Sequence, residues 1–166
     1  MLNRFPLIML ASLVVIGGLV WTFVAANKSS LVTLEGSILK IRTFRLTAES
    51  TLVLADFRVT NPSKLPFVVD KLEMFVDRPS GDPAPGSILS RADVELVFQY
   101  QKLTGPKYND PLIAANKIQP GETIDRMSAA RVDLPEAQID ARTGVRIRIH
   151  EFNHQVAEIA EVRKQK

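Results

Sequence analysis

The stretch VLADFRVTNPSKLPFVVDKLEMFVD, residues 53–77, decides the fold. Val53, Ala55, Phe57 and Val59 alternate with Leu54, Asp56, Arg58 and Thr60. Period two sends successive side chains to opposite faces, as in a strand with one face on a core. Asn61-Pro62-Ser63 then stops the run. Asn bonds its own backbone in a turn, Pro62 fixes φ, and Pro66 opens the next strand without needing a donor. Beyond it Leu72, Met74 and Val76 alternate with Glu73, Phe75 and Asp77. Two strands joined by a defined turn give an antiparallel pair.

The same period recurs along the chain. Val94, Leu96, Phe98 and Tyr100 alternate with Glu95, Val97, Gln99 and Gln101, and Val145, Ile147 and Ile149 with Arg146, Arg148 and His150. Ile38 to Leu46 reads as a strand whose phase breaks near Thr43, which implies a bulge there. Thr123 to Val132 is a further strand. Gln155 to Val162 fits either a strand or a helical face. Pro79 to Gly86 reads as a long turn, and Gln119-Pro120-Gly121-Glu122 as a short one. Phe152-Asn153-His154-Gln155 closes a terminal hairpin. Short strands separated by such turns predict a mainly β protein, an antiparallel β-sandwich of about seven strands.

Ahead of this lies FPLIMLASLVVIGGLVWTFVAA, Phe5–Ala26, 22 residues without a charge. About 20 apolar residues cross a bilayer as a helix. Leu13 and Val20 sit within the run, and Trp21 near its far end suits the headgroup region. Residues 1–26 therefore read as an N-terminal transmembrane anchor. Alternatively, they are a signal peptide cut after Val24-Ala25-Ala26. Arg4 favours an inside N-terminus, whereas Lys28, Lys40 and Arg42 oppose it. The position of the run and its cleavage-like end favour an extracytoplasmic, periplasmic domain; a cytosolic domain is the alternative. Residues 27–34 form a linker, 35–162 the sandwich, and 163–166 a basic tail.

Composition narrows the chemistry. Of 21 Lys and Arg only Arg4 precedes residue 27, so 20 basic side chains face 18 acidic ones. That balance does not point to nucleic acid. With no cysteine there is no disulfide, thiolate nucleophile or thiolate metal site. His150 is expected on an outward face and His154 in a turn, with Glu151 and Glu158 nearby; no convergent metal or acid–base set follows. Asp93 and Glu95 read as solvated charges. No phosphate loop or nucleophile elbow occurs. The expectation is a protein that is not an enzyme and takes no cofactor.

Residues 55–77 resemble the type-2 late-embryogenesis-abundant family through Phe57, Val59, Asn61, Pro62, Pro66, Val68, Leu72 and Val76. Ile118, Pro120, Gly121 and Thr123 resemble the step before a middle strand of that family. The resemblance implies an immunoglobulin- or fibronectin-III-like sandwich, membrane anchoring and a role in water-stress protection. It also implies binding of an apolar ligand or a protein partner. The 79–86 loop and the 102–117 segment depart from the short connections of that family.

Two surface features remain. Lys40 and Arg42 on an early strand, with Arg146 and Arg148 on a late one, would make a positive ladder for lipid headgroups if the strands were neighbours. Leu52, Leu54, Phe75 and Val97 fall on nominally outward faces and are expected to lie under the long loops; a partner patch is the alternative. The reading is a non-enzymatic, membrane-anchored β-sandwich module with a binding, assembly or stress-protective role at the cell envelope. Its partners are the lipid bilayer and a protein or apolar ligand. The alternative is a cleaved, exported carrier of an apolar or lipid ligand.

Overall fold

The computed structural model describes residues 13–22, 32–100 and 105–161. Two compact units result, Met1–Leu31 and Val32–Lys166. In the first, residues 13–22 form helix α1, and every side chain is exposed, Leu13, Val20 and Trp21 among them. Among the described residues no helix is long and apolar enough to cross a membrane. Phe5, Ala26, the Val24–Ala26 step and the basic tail lie outside them.

The second unit is an antiparallel sandwich. Its strands are β1 (Glu35–Arg45), β2 (Thr51–Thr60), β3 (Phe67–Asp77), β4 (Pro83–Ile88), β5 (Lys117–Ile118), β6 (Thr123–Val132), β7 (Gly144–Glu151) and β8 (Val156–Ala160). They follow the order β1-β2-β6-β4-β3-β7-β8, with β5 on β3. β4 pairs with β3 through residues 83–86 and with β6 through 86–88. It thus passes from one half to the other, leaving β1-β2-β6 on one side and β4-β3-β7-β8 on the other. Gly86 is the pivot. A Cβ there would stand 2.8 Å from the Ala130 Cβ, so only glycine lets the two backbones approach this closely.

The expected alternation fills the space between the halves. Val53, Ala55, Phe57 and Val59 of β2 and Ala130 and Val132 of β6 meet Met74, Val76, Ile147, Ile149 and Ile159 in one buried cluster. β1 and β8, which end the strand order, lie against each other. A Cβ on Gly36 of β1 would collide with the Arg58 carbonyl oxygen and come within 3.0 Å of Ile159 Cδ1.

Four expectations need correcting. The Asn61 turn does not join an antiparallel pair: β2 pairs with β1 and β6, and β3 with β4, β5 and β7, so the turn carries the chain from one half of the sandwich to the other. Residues 94–100 are not a strand: helix α2 spans Arg91–Tyr100. The Ser90 hydroxyl accepts the Asp93 N–H at 3.2 Å, and the Asp93 carboxylate accepts the Ser90 N–H at 3.3 Å, a capping box. Val94, Val97 and Phe98, spaced i, i+3, i+4, then share a face. The Pro-rich stretch is not all turn, because β4 begins at Pro83. The β1 bulge sits between Ile38 and Lys40, not near Thr43. Of the two readings of the last segment the strand holds, with Ala157 and Ile159 buried. A short helix, α3 (Glu136–Asp140), follows β6.

α2 also explains why Leu52 and Leu54 on β2 are as buried as the core-facing residues. They form a second cluster with Val94, Met127 and Ala129, closed by Phe44, Leu89, Val97 and Phe98. A helix, rather than loops alone, covers that outer face.

Candidate interaction surfaces

The first surface is the roof that α2 and residues 105–110 make over β1 and β2. Arg42 Nη2 donates to Asp56 Oδ2 at 2.8 Å, with only 11% and 4% of the two side chains exposed. Arg42 Nη1 donates to the Pro106 carbonyl at 3.0 Å, and Asn109 Nδ2 donates to Asp56 Oδ1 at 3.0 Å. The guanidinium lies 5.5 Å from the Phe98 ring and 5.1 Å from the Tyr108 ring, while Lys40 Nζ lies 4.9 Å from Tyr108. A buried pair tolerates its desolvation only with such added bonds. Here it fastens the roof to the sheet. Beside it opens a surface cleft of about 330 Å³ lined by Leu39, Lys40, Asp56, Tyr108 and Asn109. Lys107 Nζ pairs with Glu95 and Asp110, which raises its pKa and lowers that of Asp110.

The second surface is the outer face of β3-β7-β8. Arg146 grips Asp77 through Nε and Nη2 at 2.8 and 2.6 Å, and this hydrogen bonding raises its pKa. Arg148 donates to Glu158 at 2.7 Å, and its guanidinium sits 5.1 Å from the Phe75 ring. His150 Nε2 lies 3.0 Å from Glu73 Oε2. The hydrogen bond from Lys71, with His150 alongside, holds the Glu73 carboxyl below its ordinary range. Lys40 and Arg42 therefore belong to the outer face of one sheet and Arg146 and Arg148 to that of the other. The structure does not bring the four together, and Arg42, Arg146 and Arg148 are each ion-paired.

The third surface is the end where β1 begins. Glu35 pairs with Thr60, and Thr60 with Thr123, so the β2–β3 and β5–β6 turns meet there. Asn61 is fully buried between them. Its Nδ2 donates to the Leu65 carbonyl at 2.8 Å and the Ile118 carbonyl at 2.9 Å, and its Oδ1 accepts the Ser63 N–H at 3.0 Å. Its backbone N–H donates to Glu122, and its carbonyl accepts the Gly121 N–H at 2.7 Å. The two segments quoted for the family resemblance thus join at Asn61. Pro62 and Pro66 flank it, both exposed. The β7–β8 hairpin closes at the same end, because the Phe152 N–H donates to the Val68 carbonyl at 3.1 Å.

Asp93 caps α2 and Glu95 pairs with Lys107, so neither is set up for acid–base work. His154 sits exposed at φ +71° in the hairpin turn. Among the described residues no group of three or more His, Asp or Glu could hold a metal ion. The capping box was the signal for α2; the buried Arg42–Asp56 pair had none, because nothing in the sequence says what covers β1.

No protein-family model matches the chain, and no curated protein does. Three solved structures illustrate what it is similar to. A β-sandwich protein from Clostridium difficile 630 shares 14% identity over 76% of this chain and 84% of its own, at a TM-score of 0.38. The archaellum periplasmic stator protein FlaG from Sulfolobus acidocaldarius shares 14% over 78% of this chain and 99% of its own, at 0.33. A protein from Archaeoglobus fulgidus shares 15% over 80% of this chain and 99% of its own, at 0.37. The likeness is one of β architecture alone.

Proposed function

We propose that this chain is a membrane-anchored, non-enzymatic β-sandwich module that binds or assembles with a partner on the extracytoplasmic side of the envelope. The observation that carries this is α1: an apolar helix with every side chain exposed, set within a 22-residue uncharged run. A helix apolar on all sides needs lipid or protein around it. The immunoglobulin- or fibronectin-III-like reading is supported by the three-plus-four division of strands. The type-2 late-embryogenesis-abundant reading, with its stress-protective role, is supported by the Asn61 junction. Chemistry-capable groups are spent on structure, as with Arg42 and Asp56 or His150 and Glu73.

The Val24-Ala25-Ala26 step favours a second reading, a cleaved carrier. Weighing against a carrier, Phe57, Phe67, Met74 and Ile147 fill the space between the sheets without exposure. The test is the intact mass of the membrane fraction combined with protease treatment of spheroplasts. The anchor reading expects the full chain, resistant to carbonate extraction and cut from outside. A soluble species beginning at Asn27 would overturn it, and a shielded domain would overturn the sidedness.

A further inference from the structure

We infer that the domain end at which β1 begins is a lipid-contacting surface, and that Leu65 and Phe152 enter the headgroup region of the bilayer. This rests on the anchor reading. Most exposed apolar side chains need no explanation. These two differ in being held out on braced turns at one end of the sandwich. Leu65 is 50% exposed, yet its carbonyl accepts both Asn61 Nδ2 and Ser63 Oγ at 2.8 Å, so the turn that presents it is fixed. Phe152 is 70% exposed at the tip of the β7–β8 hairpin. There the buried Glu151 carboxylate accepts the Asn153 N–H at 2.6 Å, and the Glu151 carbonyl accepts the His154 N–H at 2.9 Å. Rigid tips lose little freedom on insertion, so burying them is favourable.

β1 begins at this end, and the stretch from Ala26 to Leu34 spans at most roughly 30 Å in any conformation. The ionised side chains near the tips are Lys64 and Lys117, against the exposed Glu35 and Asp70 and the half-buried Glu122, whose carboxylate already accepts the Gln119 N–H. An apolar tip with a lysine beside it, as Leu65 has in Lys64, suits a lipid interface. A soluble protein partner would compete for the same tips, but it would not need β1 to begin at this end.

The experiment uses the full chain and its one tryptophan, Trp21. In a Trp21→Phe background, Phe152→Trp places the probe on the inferred surface. Leu46→Trp places it just beyond β1, at the opposite end. Both proteins are reconstituted into vesicles of equal phosphatidylcholine and phosphatidylglycerol, with or without brominated phosphatidylcholine. Vesicle flotation is read alongside emission. The expected result is that both proteins float, and that the 152 probe is blue-shifted and loses most of its emission to bromine while the 46 probe keeps it. Flotation with an unquenched 152 probe would overturn the lipid contact and leave the anchor standing. A blue shift without bromine quenching would place the tip against protein and also overturn it. A protein that does not float would sink both readings.

Discussion

The Asn61 side chain donates to the Ile118 carbonyl at 2.9 Å, across 57 residues of chain. This bond, with those to Leu65 and Ser63, makes one buried side chain the fastener of two turns. Asn61→Ala strands the Ile118 carbonyl without its donor. Leaving buried polar groups unpaired costs about 1–3 kcal/mol each. The expected loss is about 2–4 kcal/mol, read as a lower urea midpoint at unchanged slope. A loss within error would show that water replaces the side chain.

Gly86 should tolerate no side chain. An added Cβ meets the Ala130 Cβ at 2.8 Å where β4 passes between the sheets. Gly86→Ala is expected to cost about 1–3 kcal/mol through overpacking. Ala130→Gly should recover part of that cost, and the double-mutant cycle checks whether this contact is the cause.

Breaking the Arg42–Asp56 pair from one side should be worse than removing both charges. Asp56→Asn leaves a guanidinium buried to about nine-tenths beneath Phe98 and Tyr108, a cost on the order of 3–5 kcal/mol. Arg42→Met combined with Asp56→Leu should be milder than either single change predicts. Thermal unfolding of Arg42→Met, Asp56→Leu and the double variant decides it; strict additivity would count against coupling.

The α2 cap offers a smaller, local effect. Ser90→Ala removes the acceptor for the Asp93 N–H and should cost about 1 kcal/mol. Hydrogen exchange should quicken in residues 91–100 and in the neighbouring β2 positions 52 and 54. Exchange confined to the first turn would mean that the helix is held by Val94 alone.

Stability should fall in acid for a reason that can be traced. The carboxyls of Glu73, beside Lys71 and His150, and Asp125, beside Arg58, have folded pKa values below ordinary. Depressed carboxylates contribute stability that is fully present above their unfolded pKa of about 4. It is lost as pH falls through the folded values, because the unfolded chain binds more protons there. Urea midpoints measured from neutral pH down into that range should fall. The fall should be shallower in Glu73→Gln and Asp125→Asn, and smaller in high salt.

Period two located β2, β6 and β7 because each buries one face in a common core. It failed at Val94–Tyr100, where alternation and helical spacing coexist and only Ser90 and Asp93 break the tie. It missed β4, since Pro83 and Pro85 normally forbid central pairing, and β5 because two residues carry no period. The buried status of both Leu54 and Val53 depends on a helix that arrives from elsewhere in the chain. The turn at Asn61 was legible from its own chemistry. Its junction with Ile118 was not, because register between distant strands is set by the assembled core. The basic residues were legible as charges, but their acids came from other strands: Asp56, Asp77 and Glu158.

The meeting of β1 and β8 has a consequence for how copies of the domain meet. Free strand edges invite sheet-to-sheet polymerisation. In this domain the two terminal strands lie against each other, with Ile159 Cδ1 3.0 Å from where a Gly36 Cβ would stand. A larger residue at 36, blocked by the Arg58 carbonyl, would push toward β8 and loosen that closure, offering strand edges to a second copy.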